Sequence, residues 1–297
     1  MSAVQYSFAA LVDSHPIVLL KDGKSADALR AATTAVSAAR QAAEDDPEAI
    51  PNLIKALVVL GDVHREIKES GRAEKRYREA IDLLPKADVP LRQRARVRAR
   101  MATMLDFGNR ESEAIKYYEQ AIDDYEAMTP PDENLAAQLR NNLALIYKRL
   151  GNHALAEQHY LRGLDILEQK YGHDSEFTAT LFNNLGSLYY TAGFPAQARE
   201  MLGEALAIRK KLLGPDHPDV AQTQSNLAST CHELGDNPGA LEHYEQALDI
   251  LERHVEFKAA SYEAVGRDFI SLLESLNEDK RAAAFKKRME RVLLAVV

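Results

Sequence analysis

Three asparagines, Asn142, Asn184 and Asn226, recur at a spacing of 42 residues inside segments that otherwise read as helix. Asparagine is a poor helix former because its amide competes with the backbone, so its return at one place in each segment asks for a reason. A carboxamide is donor and acceptor at once, and it suits either an extended peptide backbone or another amide. Two roles are open: contact with a bound peptide, or bonds between neighbouring segments that hold them in register. By helical register the side chains beside these amides share their face. They are Asn141, Lys148 and Arg149 in the first segment, Asn183, Ser187 and Tyr190 in the second, and Ser229 and His232 in the third. These residues, with the three amides, make a candidate groove for a peptide or protein partner.

A second candidate is the run Leu91 to Arg100, which carries Arg92, Arg94, Arg96, Arg98 and Arg100 without one acid. On a helix Arg92, Arg96 and Arg100 share a side, with Arg94 and Arg98 elsewhere. Such a patch can receive an acidic partner, a carboxylate-rich tail or a phospholipid headgroup, or it can pair with neighbouring Glu and Asp. A third is the C-terminal stretch. Phe285, Met289, Val292, Leu293 and Val296 form an apolar stripe, flanked by Lys286, Lys287, Arg288 and Arg291. A basic amphipathic helix can lie on an anionic membrane, cap a stack of helices, or pair with a second copy of the chain.

Other chemistry finds no support. There is no phosphate-binding glycine loop. No His or Cys cluster has metal-site spacing, and His153 and His159, six apart, fall on different helix faces. Cys231 sits in the same column as Tyr147 and Tyr189, where a buried thiol packs and does not react. The residues point away from an enzyme, and to no cofactor, no metal and no small-molecule substrate.

The elements that position these groups follow from the repeat. At the 42-residue spacing Gly151 becomes Gly193 and Gly235, Ala156 becomes Ala198 and Ala240, and Ile166 becomes Ile208 and Ile250. Each copy reads as two antiparallel helices. Leu143, Ala144 and Tyr147 line one face of the first, Gly151 turns the chain, and Ala156, Tyr160 and Gly163 line one stripe of the second. Neither helix can bury its stripe alone, so neighbouring pairs must stack. Shorter copies precede them. Leu57, Leu60, Gly61, His64, Ala73, Tyr77, Ala80 and Pro85 form one, with Lys68 in place of the turn glycine; Val97, Met101, Met104, Gly108, Ala114, Tyr118 and Ala121 form the next.

This pattern resembles the tetratricopeptide repeat, and the 42-residue copies resemble the kinesin light chain type. The phrases Leu139 to Ala144 and Leu213 to Val220 carry that resemblance, and Tyr171 to Asp174 is a worn version of the second. The resemblance implies an all-α, right-handed superhelical solenoid of antiparallel helix pairs, with degenerate capping helices at both ends. The expected divisions of a single solenoid domain, residues 1–297, are an irregular cap over 1–51, repeats over 52–88 and 91–130, three longer repeats over 136–256, and a capping pair over 259–297. It also implies an adaptor. With no heptad segment ahead of the repeats, what remains is similar to the short bacterial kinesin light chain proteins, compact solenoids associated with bacterial tubulin filaments. A protein partner, an acidic peptide or a tubulin-like filament, with peripheral contact to an anionic membrane, is the implied set; a peptide receptor in signalling is the alternative.

Bulk properties agree with that class. The formal charge of −8 argues against indiscriminate nucleic-acid binding. One cysteine excludes an intrachain disulfide and fits a reducing compartment. No apolar run approaches a membrane span, and Met1 to Leu20 lacks the basic start and cleavage site of a secretory signal. The expected location is cytoplasmic, in association with the cytoskeleton.

Overall fold

The computed structural model describes residues 15–295, and among them every regular element is a helix. The N-terminal reading of residues 1–14 and the place of Val296 in the last apolar stripe lie outside the described residues. Fourteen α-helices follow one another, joined by short turns. The chain divides into two compact units, one ending at Ile146 and the other beginning at Tyr147.

The first unit opens with α1 (His15–Lys21) and α2 (Ser25–Asp45), which lie against each other and against α3 (Ile50–Glu66). Alanines 28 and 32 with Val36 make the buried stripe of α2, and Asp46 stops the chain before Pro47 by accepting from the Glu48 amide. The pair α3 and α4 (Ser70–Leu83) packs through Gly61, where an added Cβ would stand 2.5 Å from the Tyr77 ring; only a glycine lets that buried ring lie flat on the helix. The next pair is α5 (Leu91–Phe107) and α6 (Glu111–Glu126), and α7 (Glu133–Arg149) runs through the end of this unit.

The second unit holds α8 (His153–Tyr171), α9 (Glu176–Thr191), α10 (Pro195–Leu213), α11 (Pro218–Glu233), α12 (Asn237–Arg253), α13 (Val255–Ser275) and α14 (Asp279–Leu294). Each packs on the next, and α11 also touches α9 and α13, as stacked pairs require. Ala198, Leu202 and Ala205 of α10 are buried against α9, where Gly186 gives Leu202 room. The final pair closes the core with Tyr244, Phe269 and Phe285, the last two edge-to-face at 5.1 Å. The α13 backbone leaves helical geometry at Lys258, so the helix enters with a kink.

The turn between the two helices of a pair uses one left-handed residue each time. It is Gly151, Gly193 and Gly235 in the long repeats, as expected, and Lys68 where glycine is missing. In the second short repeat the expected residue, Gly108, has an ordinary negative φ of −87°; Asn109, one place on, takes the left-handed role at φ 54°. Asparagine tolerates that region better than most side chains do. Ala114 stands 17 residues after Val97, where Ala73 of the copy before stands 16 after Leu57, and the extra residue moves the reversal along by one.

Candidate functional site

In the second unit the polar face expected of α9 and α11 is knitted together before any partner arrives. The Asn183 carbonyl oxygen accepts from the Asn226 amide at 3.1 Å and from the Thr223 hydroxyl at 3.3 Å, which joins α9 to α11. Arg209 of α10 extends this joint: its guanidinium donates to Thr223 Oγ1 at 2.7 Å and to the Asp219 carbonyl at 2.9 Å. The Arg209 side chain is buried, and burial lowers its pKa from the ordinary arginine value. Of the three asparagines spaced by 42 residues, Asn226 thus takes part in a bond between repeats, whereas Asn142 accepts from Asn141 of its own helix. The bonded pair is Asn226 with Asn183, and not Asn226 with its 42-residue counterpart Asn184.

Burial revises the expected groove further. Asn141, Asn142 and Asn183 are buried in packing and do not line an open surface. Asn184, Asn226, Ser187 and Ser229 are half-buried; Arg149, Tyr190 and His232 are exposed. Ser229 is engaged with the Tyr244 hydroxyl at 2.9 Å, and His232 with the Asn237 carbonyl at 2.8 Å, so His232 turns to its own helix end. Lys148 reaches across to α9, where its ammonium donates to Ser187 Oγ at 2.5 Å. No carboxylate meets it among the described residues, and burial lowers its pKa.

The arginine run of α5 is mostly engaged inside the first unit. Arg100 pairs with Asp62 at 3.0 Å, Arg98 with Asp124 at 2.5 Å, Arg94 with Asp124 at 3.7 Å and Arg92 with Asp132 at 2.9 Å. Asp62 and Asp124 are buried, so these are internal ties and not an open landing surface. Burial raises the Asp124 carboxyl above its ordinary pKa, even with Arg98 and Arg94 beside it. Arg94 Nε and Arg96 Nε are both buried without a hydrogen bond; at Arg96, burial together with the adjacent Arg100 lowers the pKa.

On α14 the apolar stripe is a packing face. Met289 lies over Gly266, and Val292 and Leu293 lie against the same core. Arg288 pairs with Glu252 at 2.9 Å. Lys286, Lys287 and Arg291 are exposed, and no ion pair engages them among the described residues.

Two charged positions of the repeat array escaped the sequence reading, and both had a signal in the 42-residue columns. Arg209 stands where the other copies have Leu167 and Leu251, a charge in an apolar column. Asp268 stands 42 residues after Asn226, so it continues the asparagine column as a carboxylate. It is exposed on α13, yet its surroundings strip enough water to raise its pKa. Its charge also acts on the phenols of Tyr190 and Tyr244, the second pushed up to about 12 chiefly by burial.

Residues 135–211 and 178–253 match the tetratricopeptide repeat family model. Among curated proteins there is no sequence match. Among solved structures the chain is similar to BtubC (BKLC) from P. vanneervenii, with 27% identity, a TM-score of 0.64, and coverage of 80% of this chain and 91% of that one. It is also similar to a kinesin light chain protein of nearly identical TPR-like repeats from Podospora anserina, at 19% identity and a TM-score of 0.60, covering 69% of this chain and 97% of that one. The Rap protein crystallised with Competence and Sporulation Factor shares the fold at 16% identity, a TM-score of 0.53, and coverage of 84% and 76%. The described residues thus form an all-α fold in which residues 135–253 match tetratricopeptide repeats, with structural likeness to BtubC and to kinesin light chain repeats.

Proposed function

We propose that this chain is a non-enzymatic scaffold that holds a tubulin-like filament on one surface and a second partner, protein or anionic membrane, on another. The observation that supports it is the division of labour among its polar residues. Asn183, Asn226 and four of the five arginines of α5 are engaged inside the fold, while exposed Tyr190, Lys286, Lys287 and Arg291 and half-buried Lys148 pair with no carboxylate among the described residues. A tetratricopeptide stack offers exactly such fixed surfaces to protein partners, and the 27% identity with BtubC across 80% of this chain favours the bacterial kinesin light chain type within that class. The exposed cations of α14 suit an acidic filament or headgroup surface.

The test is co-sedimentation of the full chain with filaments of a bacterial tubulin-like protein. Pelleting at low salt that weakens as salt rises is expected. Absence of pelleting at low salt removes the filament and leaves the scaffold to other protein partners.

A further inference from the structure

The arginine ladder of α5 is paired at both ends and bare in its middle. Arg92, Arg96 and Arg100 follow one another at one-turn intervals on one side of the helix, with neighbouring Cβ atoms about 6 Å apart. Arg92 is held by Asp132 at 2.9 Å and Arg100 by Asp62 at 3.0 Å. Arg96, half-buried between them, meets no carboxylate among the described residues, and its Nε is buried without a hydrogen bond. The acids fall short of the run as a whole. Five arginines are served by three carboxylates, since Asp124 takes both Arg94 and Arg98, so two positive charges are left over. An unpaired cation set one turn from two like charges, with part of its water removed, costs stability. Tyr125 of α6 adds a second unsatisfied group. Its ring is buried, and its hydroxyl makes no hydrogen bond among the described residues. Its carbonyl oxygen accepts from the Asp132 amide at 3.0 Å, so it neighbours the acid that holds Arg92. Burial raises the phenol above its ordinary pKa, which keeps it a donor at neutral pH, and all three arginines act on it electrostatically.

We propose that Arg96 is the centre of a phosphate-binding site that takes free inorganic phosphate or a small phosphomonoester, with Arg92 and Arg100 as flanking charge and the Tyr125 hydroxyl as a further donor. Charge and shape both choose a phosphate over a carboxylate. The surplus of two positive charges matches a phosphate group, which carries about −1.5 to −2 at neutral pH. A planar carboxylate is satisfied by one guanidinium fork. A tetrahedral group can accept from Arg96 and also from the N–H groups of Arg92 and Arg100 that Asp132 and Asp62 leave unbonded. Those two acids already hold the flanking arginines, so little side-chain freedom remains to be lost on binding. Occupancy removes repulsion within α5, and a ligand that binds only the folded chain stabilises it. The site is independent of the scaffold reading, because its ligand is a small ion and no partner chain takes part.

The test is thermal unfolding of the full chain, followed by circular dichroism, with sodium phosphate titrated at an ionic strength held constant by sodium chloride. The wild-type melting temperature is expected to rise by a few degrees and then level off. Arg96→Gln removes the unpaired cation, so without phosphate it should melt no lower than wild type, and phosphate should no longer raise it. Lys116→Gln, which removes an exposed cation of α6 in the same unit, should keep the full response. Parallel titrations use glycerol phosphate and acetate. A rise with both inorganic phosphate and glycerol phosphate shows that esters enter, and a rise with inorganic phosphate alone confines the site to the free ion; either upholds it. The site is overturned by a phosphate response that is absent, never levels off or survives Arg96→Gln, and equally by acetate matching phosphate. A phosphate-free melting temperature of Arg96→Gln well below that of wild type overturns it too, since Arg96 would then be a structural group.

Discussion

The hydroxyl of Tyr77 donates to the Asp62 carboxylate at 2.7 Å, with both side chains fully buried in the pair α3 and α4. Arg100 reaches the same carboxylate from the following repeat. One acid therefore closes a helix pair and ties it to its neighbour. Replacing Asp62 with alanine strands the arginine and the phenol together, and should destabilise the protein by about 3 kcal/mol. Tyr77→Phe removes one donor and should lose about 1 kcal/mol. Urea unfolding of the full chain, followed by circular dichroism, reads both; equal and small losses would show that the buried acid is not the tie described.

Gly186 can be probed in the opposite sense. A methyl group there would stand 2.5 Å from Leu202 Cγ and 3.1 Å from the Ala198 carbonyl oxygen. Gly186→Ala should lose about 2 kcal/mol by overpacking, and Leu202→Ala in the same chain should return part of it. A double variant no better than the worse single one would rule out this clash as the cause.

The turn residues test backbone strain apart from side-chain contacts. Lys68 holds φ at 63°, where a side chain is disfavoured, whereas Gly151 holds 74° at no steric expense. Lys68→Gly should raise the melting temperature, in line with a gain of up to about 1 kcal/mol, and Gly151→Ala should lower it by a similar energy. A fall with Lys68→Gly would mean that the lysine side chain contributes more than its backbone strain takes away.

His173 offers a pH signature. Its Nδ1 meets Glu168 at 2.8 Å and its Nε2 meets Glu204 at 3.2 Å, and these hydrogen bonds raise its pKa above the ordinary histidine value. A raised folded-state pKa means the ring contributes stability when protonated. The contribution is complete below the unfolded value near 6.5 and fades as pH climbs through the folded one. His173→Gln should accordingly lower the melting temperature at pH 5.5 more than at pH 8.5. Because the site is half open to water, the difference should be small; an equal effect at both values would disprove the linkage.

Asn183→Ala removes the acceptor shared by Asn226 and Thr223 and should lose about 1–2 kcal/mol, more than Asn226→Ala, which removes one of its donors. The reverse order would assign the amides to a surface role.

These particulars show where the sequence was informative. Gly151, Ala156 and Tyr160 announced the helix pair because a reversal, a close approach and a filling ring each admit few residue types. Lys68 could be placed by alignment with the glycine column, although its own type gives no hint of a left-handed turn. The polar sites were harder to read. Asn142 and Asn183 are polar, yet burial in packing, invisible to one-dimensional register, removes them from the groove. Arg98 and Asp124 are 26 residues apart, so their pairing depends on how α5 lies along α6. Asp268 was legible only by continuing the 42-residue count past the last well-formed copy.

The joints between repeats bear on how such a chain can change length. Asp62 accepts only a neighbour that brings a cation to Arg100's place, so that junction is keyed to one particular successor. The joint of α9 to α11 is keyed as well: Asn226 recurs at Asn142 and Asn184, but Thr223 and Arg209 stand in columns that are apolar in the neighbouring copies, at Leu181 and at Leu167 and Leu251. Duplication or loss of a module therefore breaks specific bonds in the short repeats and in the 42-residue array alike.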